Sequence, residues 1–454
     1  MKRSHILAVV MSLVFFATPA WAAEPQVYRG TIDGANYVIH VPTNWNGTLL
    51  LYSHGYASRF QPKTPAYDAA DQTTATWLLD HGYALAASSY SAQGWAVEQA
   101  LHDQTALLDQ FPKIAGATPK HVVLWGHSMG GLITAALAER YPNRFAGALP
   151  MCGVLEGAKP FFDQSLDPTF ALHTLLGTPL VAEDAREAAK TAGDLLDAAQ
   201  ATAIGRARIA LVASFENLPG WIGSSAPEPA ATDFAAREAA QYQWLKRLAV
   251  SRFGYDAQAE LRERAHGNPA TNVGVSYLAE FEAAPLRDEV TALYAAATQD
   301  AKNDIRTLDT ASRISADPTS ADYVAANATI TGKVTIPVLT LHTTGDPLVN
   351  VNNENRYATA IRTNGDAALL RQIFVHRAGH CAFTSAETIT ALRTLFARID
   401  TSVWPDTAAD ALNVAAQSLG PDANALAGEQ PIPTAPAFLR YEPPAPVRIL
   451  GAHG

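Results

Sequence analysis

His121-Val-Val-Leu-Trp-Gly126-His127-Ser128-Met129-Gly130-Gly131-Leu-Ile-Thr-Ala-Ala136 is an apolar, strand-like run that breaks into G-x-S-x-G and continues as a helical pattern ending before Pro142. A serine on such a strand-to-helix turn is held in a strained backbone conformation with its hydroxyl exposed, and glycines flank it because side chains there would collide with neighbouring backbone. The helix that follows brings its amide-rich end close to charge developing on a substrate. Ser128 is therefore the candidate nucleophile, while Trp125 and His127 read as packing residues.

Outward from this stretch, strand-like runs at residues 37–40, 48–53, 84–89, 122–125 and 147–151 alternate with helical patterns at 70–81, 96–111 and 131–141. Between residues 153 and about 330 the pattern changes to Ala-rich amphipathic stretches, notably 182–204, 233–253 and 287–314, and predicts a mostly helical insertion. Strand and helix then alternate again at 338–342, 354–364, 370–375 and 385–399. Residues 401–454 form a Pro/Ala-rich tail that cannot extend a central strand; it either wraps the surface through Phe438, Leu439 and Tyr441 or stays partly mobile.

With its elbow in this setting, the chain resembles the α/β-hydrolase superfamily over residues 23–152 and 331–400, and more narrowly a secreted bacterial serine esterase. The resemblance implies an α/β fold, a mostly parallel sheet flanked by helices, here carrying the 153–330 segment as a large helical cap. It also implies the chain order nucleophile, acid, histidine, and both later members are present. Asp346, in Gly345-Asp346-Pro347, follows the 338–342 run; Glu156, after the run ending at Met151, is the competing acid. His380, in Gly379-His380-Cys381, follows the 370–375 run; His376 is its rival, and His342 reads as a residue packed within its strand. The serine needs a base to take its proton, and the base needs an acid to fix its tautomer and support the imidazolium.

An oxyanion hole needs two backbone N–H donors, one after the nucleophile and one from the loop after an early strand. Met129 supplies the first; Tyr56, in Ser53-His54-Gly55-Tyr56-Ala57, is the choice for the second, with Gly55 or Ala57 able to hold the same geometry. The two cysteines, Cys152 and Cys381, fall at the ends of the segments flanking the site and are an even pair suited to an oxidising compartment. Here the chain resembles the feruloyl esterase and tannase group, in which a disulfide holds the serine and histidine loops together. It departs from that group in having His127 before Ser128, so what carries over is a staple between Cys152 and Cys381, with two buried thiols as the alternative.

With 48% hydrophobic and 17% charged residues among 454, the chain is neither disordered nor a membrane array. Lys2 and Arg3, the apolar run 6–16 and the exit Ala20-Trp21-Ala22 read as a signal peptide over residues 1–22, predicting a periplasmic or secreted protein. The net charge of −10 becomes −12 once Lys2 and Arg3 leave, which argues against nucleic acid and anionic membranes as partners. No H-E-x-x-H or paired C-x-x-C occurs, so neither metal nor cofactor is expected.

The sequence thus predicts an exported serine hydrolase that cleaves a small-molecule carboxylic ester through an acyl-enzyme on Ser128. Cap aromatics Phe161, Phe162, Phe170, Trp221, Tyr242 and Trp244 either shape a pocket or fill the cap's own core, and Tyr90, Ser91, Gln93 and Trp95 are candidates for its rim. The alternatives are a prolyl-type aminopeptidase, with Glu156, Glu216 or Glu238 anchoring a substrate amine, an acyltransferase, and a non-catalytic binding protein.

Overall fold

The computed structural model describes residues 24–63, 65–181, 184–223, 226–250, 254–426 and 431–449, so the predicted signal peptide lies outside the described residues. Its strands are β1 (Gln26–Ile32), β2 (Ala35–Val41), β3 (Thr48–Ser53), β4 (Ala84–Ser88), β5 (His121–His127), β6 (Gly147–Met151), β7 (Val338–Gly345) and β8 (Leu370–Ala378), then the two-residue β9 (Ala425–Leu426), β10 (Ile432–Pro433) and β11 (Phe438–Leu439). Nine of them form one sheet in the order β1-β2-β4-β3-β5-β6-β7-β8-β11. The six central strands from β4 to β8 run parallel, and antiparallel pairing occurs only at the two ends.

Side-chain alternation explains why helices cover both faces. Leu49 and Leu51 of β3 enter one buried cluster, together with residues of helices Val97–Ala115 and Met129–Arg140. Leu50 and Tyr52 enter the opposite cluster, with residues of Gln72–Asp80, Ser385–Thr401 and Ala409–Gln417. Strands buried on both faces need continuous apolar runs, which is why Leu49-Leu50-Leu51 and all of β6 are legible. β1, by contrast, is mostly exposed and owes its place to the Asp33-Gly34 turn, where both residues take positive φ, pairing it with β2.

Between β6 and β7 the described residues form nine helices, from Ala158–Leu176 to Pro318–Ala328. The amphipathic stretch 182–204 holds helix Ala185–Gln200 and only the start of a second, Ala203–Phe215, which Thr202 caps by accepting from the Gly205 amide. Likewise 287–314 divides at Asp300, whose carboxylate caps Ala301–Thr310. The insertion has its own buried cluster around Phe170, Phe215, Tyr277 and Tyr294, although Val324 and Ala328 of its last helix pack into the sheet's core.

The tail wraps the surface. Phe438 and Leu439 add an edge strand antiparallel to β8, and Arg448 reaches the insertion. There its guanidinium, only 8% exposed, pairs with the buried Asp167 and donates to the carbonyls of Asp163 and Thr271.

Candidate active site

Ser128 is the hinge between β5 and helix Met129–Arg140, at φ 59° and ψ −127°, a conformation that L-residues avoid unless their surroundings impose it. Those surroundings are backbone. A Cβ on Gly126 would lie 2.5 Å from the Ser53 carbonyl oxygen, and one on Gly130 only 1.9 Å from the same atom. The Ser128 amide donates to the Met151 carbonyl at 3.0 Å, fixing the turn against β6.

The three sequence-predicted side chains converge on one line. His380 Nε2 lies 2.8 Å from Ser128 Oγ, and His380 Nδ1 lies 2.7 Å from Asp346 Oδ2. Asp346 is the first residue after β7 and is 1% exposed; its Oδ1 accepts from the amides of Leu348 and Val349, both at 2.9 Å. Two amide donors and the imidazole leave the carboxylate no freedom to turn away. Pinning the histidine loop to the acid loop, Gly379 N donates to Gly345 O at 2.9 Å and Thr343 Oγ1 donates to Gly379 O at 2.8 Å.

A second fastening is covalent. Cys152, the residue after β6, is bonded to Cys381, the residue after His380, with Cα atoms 5.5 Å apart. Cys152, His380 and Cys381 bring metal-type ligand atoms within 4.8 Å of one another, and the disulfide consumes both sulfurs.

Under the acid loop lies a polar group for which the sequence carries no motif. His342, fully buried in β7, places Nδ1 3.1 Å from Glu354 Oε1 and Nε2 2.9 Å from the Val349 carbonyl. Thr340 Oγ1 and Gln372 Nε2 donate to Glu354 Oε2. Burial opposes charge on His342, but the bond to Glu354, its charge and that of Asp346 outweigh this and raise the pKa. The available signal was Thr340 and His342, polar residues two apart on one face of an otherwise apolar strand.

His127 bonds the Tyr52 hydroxyl through Nδ1. Burial first, then the neighbouring His380 and His54, hold its pKa down to about 3, so it stays neutral beside the site. Tyr56 and Met129 both line the cavity into which Ser128 opens, and a Cβ on Gly55 would come within 3.2 Å of Ser128 Cβ. The expected oxyanion loop therefore lies against the nucleophile.

That cavity holds about 220 Å³. Trp95 from the core and Phe161 and Phe162 from the insertion form its aromatic wall, while Phe170, Trp221, Tyr242 and Trp244 pack in the insertion's own core. Tyr90 is buried and stacks on His54 at 4.0 Å, behind the loop rather than on a rim. Of the rival residues, His376 points outward to Glu228 at 2.8 Å, and Glu156 is paired with Arg356. Of the three candidate amine anchors, Glu216 lines the cavity; Glu238 accepts from Gln200 inside the insertion.

The family described as alpha/beta hydrolase fold matches residues 58–386, well over half of the chain. This protein belongs to the α/β-hydrolase fold family. The o-phthalyl amidase of Xanthobacter agilis is 28% identical over 420 residues, covering 85% of this chain and 90% of that enzyme. Similar solved structures include feruloyl esterase B from Aspergillus oryzae, with 12% identity, a TM-score of 0.40, and coverage of 83% of this chain and 80% of that one. The Pyrococcus horikoshii acylaminoacyl peptidase matches with 8% identity and a TM-score of 0.34 over 80% of this chain, which spans only 38% of that longer protein. The family match and the relationship to the amidase support hydrolase activity.

Proposed function

We propose that this α/β-hydrolase is an exported serine hydrolase that cleaves a carboxylic acid derivative with a compact acyl group through an acyl-enzyme on Ser128. The observation that carries the reading is the continuous hydrogen-bonded line from Ser128 Oγ through His380 to Asp346. In this mechanism His380 Nε2 accepts the hydroxyl proton as Ser128 Oγ attacks the carbonyl carbon, and Asp346 supports the imidazolium. The amides of Met129 and Tyr56 receive the oxyanion. The imidazolium then protonates the leaving group, and His380 activates water to release the acid and restore Ser128.

A cavity of about 220 Å³ is smaller than usual ligand clefts of roughly 300–1,000 Å³. Its size and aromatic walls favour a single ring or short chain as the acyl group. A carboxylic ester is the first reading. An amide is the second, and the relationship to o-phthalyl amidase favours it. Export is supported by the amino-terminal sequence and by the disulfide, which suits an oxidising compartment.

The test is initial rates on p-nitrophenyl esters of increasing acyl length and on matching p-nitroanilides, with Ser128→Ala alongside. Ester turnover that peaks at short or aromatic acyl groups and vanishes in the variant supports the first reading; anilide turnover alone moves the assignment to an amidase. Substantial turnover by Ser128→Ala removes Ser128 as nucleophile. Amino-terminal sequencing of protein from the periplasm or medium tests export, the expected mature start being Ala23.

A further inference from the structure

Glu216 is chemically out of place in the cavity. It ends helix Ala203–Phe215, and Asn350, four residues beyond Asp346, donates to its carbonyl at 2.7 Å, tying this point of the insertion to the acid loop. Glu216 lines the same cavity as Ser128, and among the described residues no other one lining it carries a carboxylate, ammonium or guanidinium. Among the described residues no hydrogen bond or ion pair satisfies its carboxyl.

A carboxyl in an apolar cavity costs free energy unless something complementary meets it. Among the described residues the charged groups that act on it most are acids: Asp167 from helix Ala158–Leu176, Glu156 after β6 and Asp346 after β7. Arg448 and Arg356 are engaged behind them, with Asp167 and Glu156 respectively. Burial first, and then those three acids, push the Glu216 carboxyl up to about 8, so it holds a proton at neutral pH. A cation that reaches such a site takes the place of that proton.

We infer that Glu216 is the specificity-determining residue of the acyl pocket and that it selects substrates whose acyl group carries a protonated amine. The inference rests on the acyl-enzyme reading for where the carbonyl sits; the cation site stands on Glu216 alone. An ammonium bound there pairs with the ionised carboxylate and releases the Glu216 proton to solvent.

The experiment has two arms. In the first, kcat/KM is compared for p-nitrophenyl 4-(aminomethyl)benzoate and p-nitrophenyl 4-methylbenzoate. The wild type is expected to favour the charged ester by about tenfold to a hundredfold, the scale of a charged hydrogen bond, and Glu216→Gln to lower that ratio at least about tenfold. In the second, benzylammonium and benzyl alcohol are titrated calorimetrically in two buffers of different ionisation enthalpy. Benzylammonium binding with proton release that is lost in Glu216→Gln, and partly restored in Glu216→Asp, supports the site and separates lost charge from lost fold. Equal binding of the two ligands, or proton release unaffected by Glu216→Gln, overturns the inference and leaves the hydrolase reading standing. Benzylammonium binding with proton release but no hydrolysis of either ester overturns the hydrolase reading and upholds the cation site.

Discussion

Gly130→Ala should cripple the enzyme without adding more than a methyl group. The new Cβ would sit 1.9 Å from the Ser53 carbonyl oxygen, 2.6 Å from its carbonyl carbon and 2.7 Å from the His54 carbonyl oxygen, all backbone atoms that cannot rotate aside. Ordinary contact begins near 3.4 Å, so the start of helix Met129–Arg140 and the end of β3 must part by about 1.5 Å. Ser128 and Met129 ride on that helix start, and Tyr56 follows the end of β3, so the separation pulls the nucleophile and the two oxyanion amides apart. A misplacement of ~1 Å is enough to cost ~100-fold, and overpacking destabilises by about 1–3 kcal/mol. Acylation by p-nitrophenyl acetate, followed by stopped-flow release of p-nitrophenol, is expected to slow at least about a hundredfold. Gly116→Ala is the control: that residue closes helix Val97–Ala115 at φ 71° with nothing within 4 Å of the added carbon, so acylation should be unchanged and stability lower by about 1 kcal/mol. A folded Gly130→Ala enzyme acylating within about threefold of wild type would refute the packing argument.

Replacing Cys152 and Cys381 together by Ser should lower unfolding free energy by about 2–4 kcal/mol in denaturant titration and reduce kcat more than it raises KM, because the His380 loop is freed; unchanged kcat would make the staple purely structural. Arg448→Met strips the cation from the buried Asp167, so its melting temperature should fall furthest below wild type near pH 8, by an equivalent of about 3 kcal/mol, and less near pH 5.5 where Asp167 is protonated; a pH-independent deficit would contradict that role. Thermal stability should fall as pH rises from about 5 to 8. The buried carboxyls Glu216, raised to about 8, and Glu156 and Asp167, each raised to about 7, keep protons that the unfolded chain has lost by about pH 5, and above 6.5 the raised His342 does the same. The buried His127, held down to about 3, works the other way below 6.5, where the unfolded chain takes up a proton and the native state does not, but this one group is outweighed by the three carboxyls. Calorimetric melts that instead rise from pH 6.5 to 8.5 would contradict these assignments.

What could be read from the sequence divides along physical lines. Strands β3 and β6 form with the predicted bounds because double-sided burial demands uninterrupted apolar residues, and the elbow is legible because its glycines answer to backbone contact. Asp346 and His380 stand out in the sequence by their places after strand-like runs, and the sheet's parallel order brings those ends together. β1 escaped because a half-exposed edge strand needs only alternation, which Gly30 and Arg29 blur. The breaks at Thr202 and Asp300 were written as capping residues inside continuous amphipathic patterns, where periodicity alone runs through them. Which of Glu156, Glu216 and Glu238 faces the cavity depends on how the insertion packs on the sheet, and no local spacing encodes that.

The most direct test of the central claim is intact mass and peptide mapping after reaction with a fluorophosphonate. A single adduct is expected, stoichiometric with enzyme and located on Ser128, that forms slowly in His380→Ala and not at all in Ser128→Ala. An unlabelled wild type, or an adduct on any other residue, would contradict it.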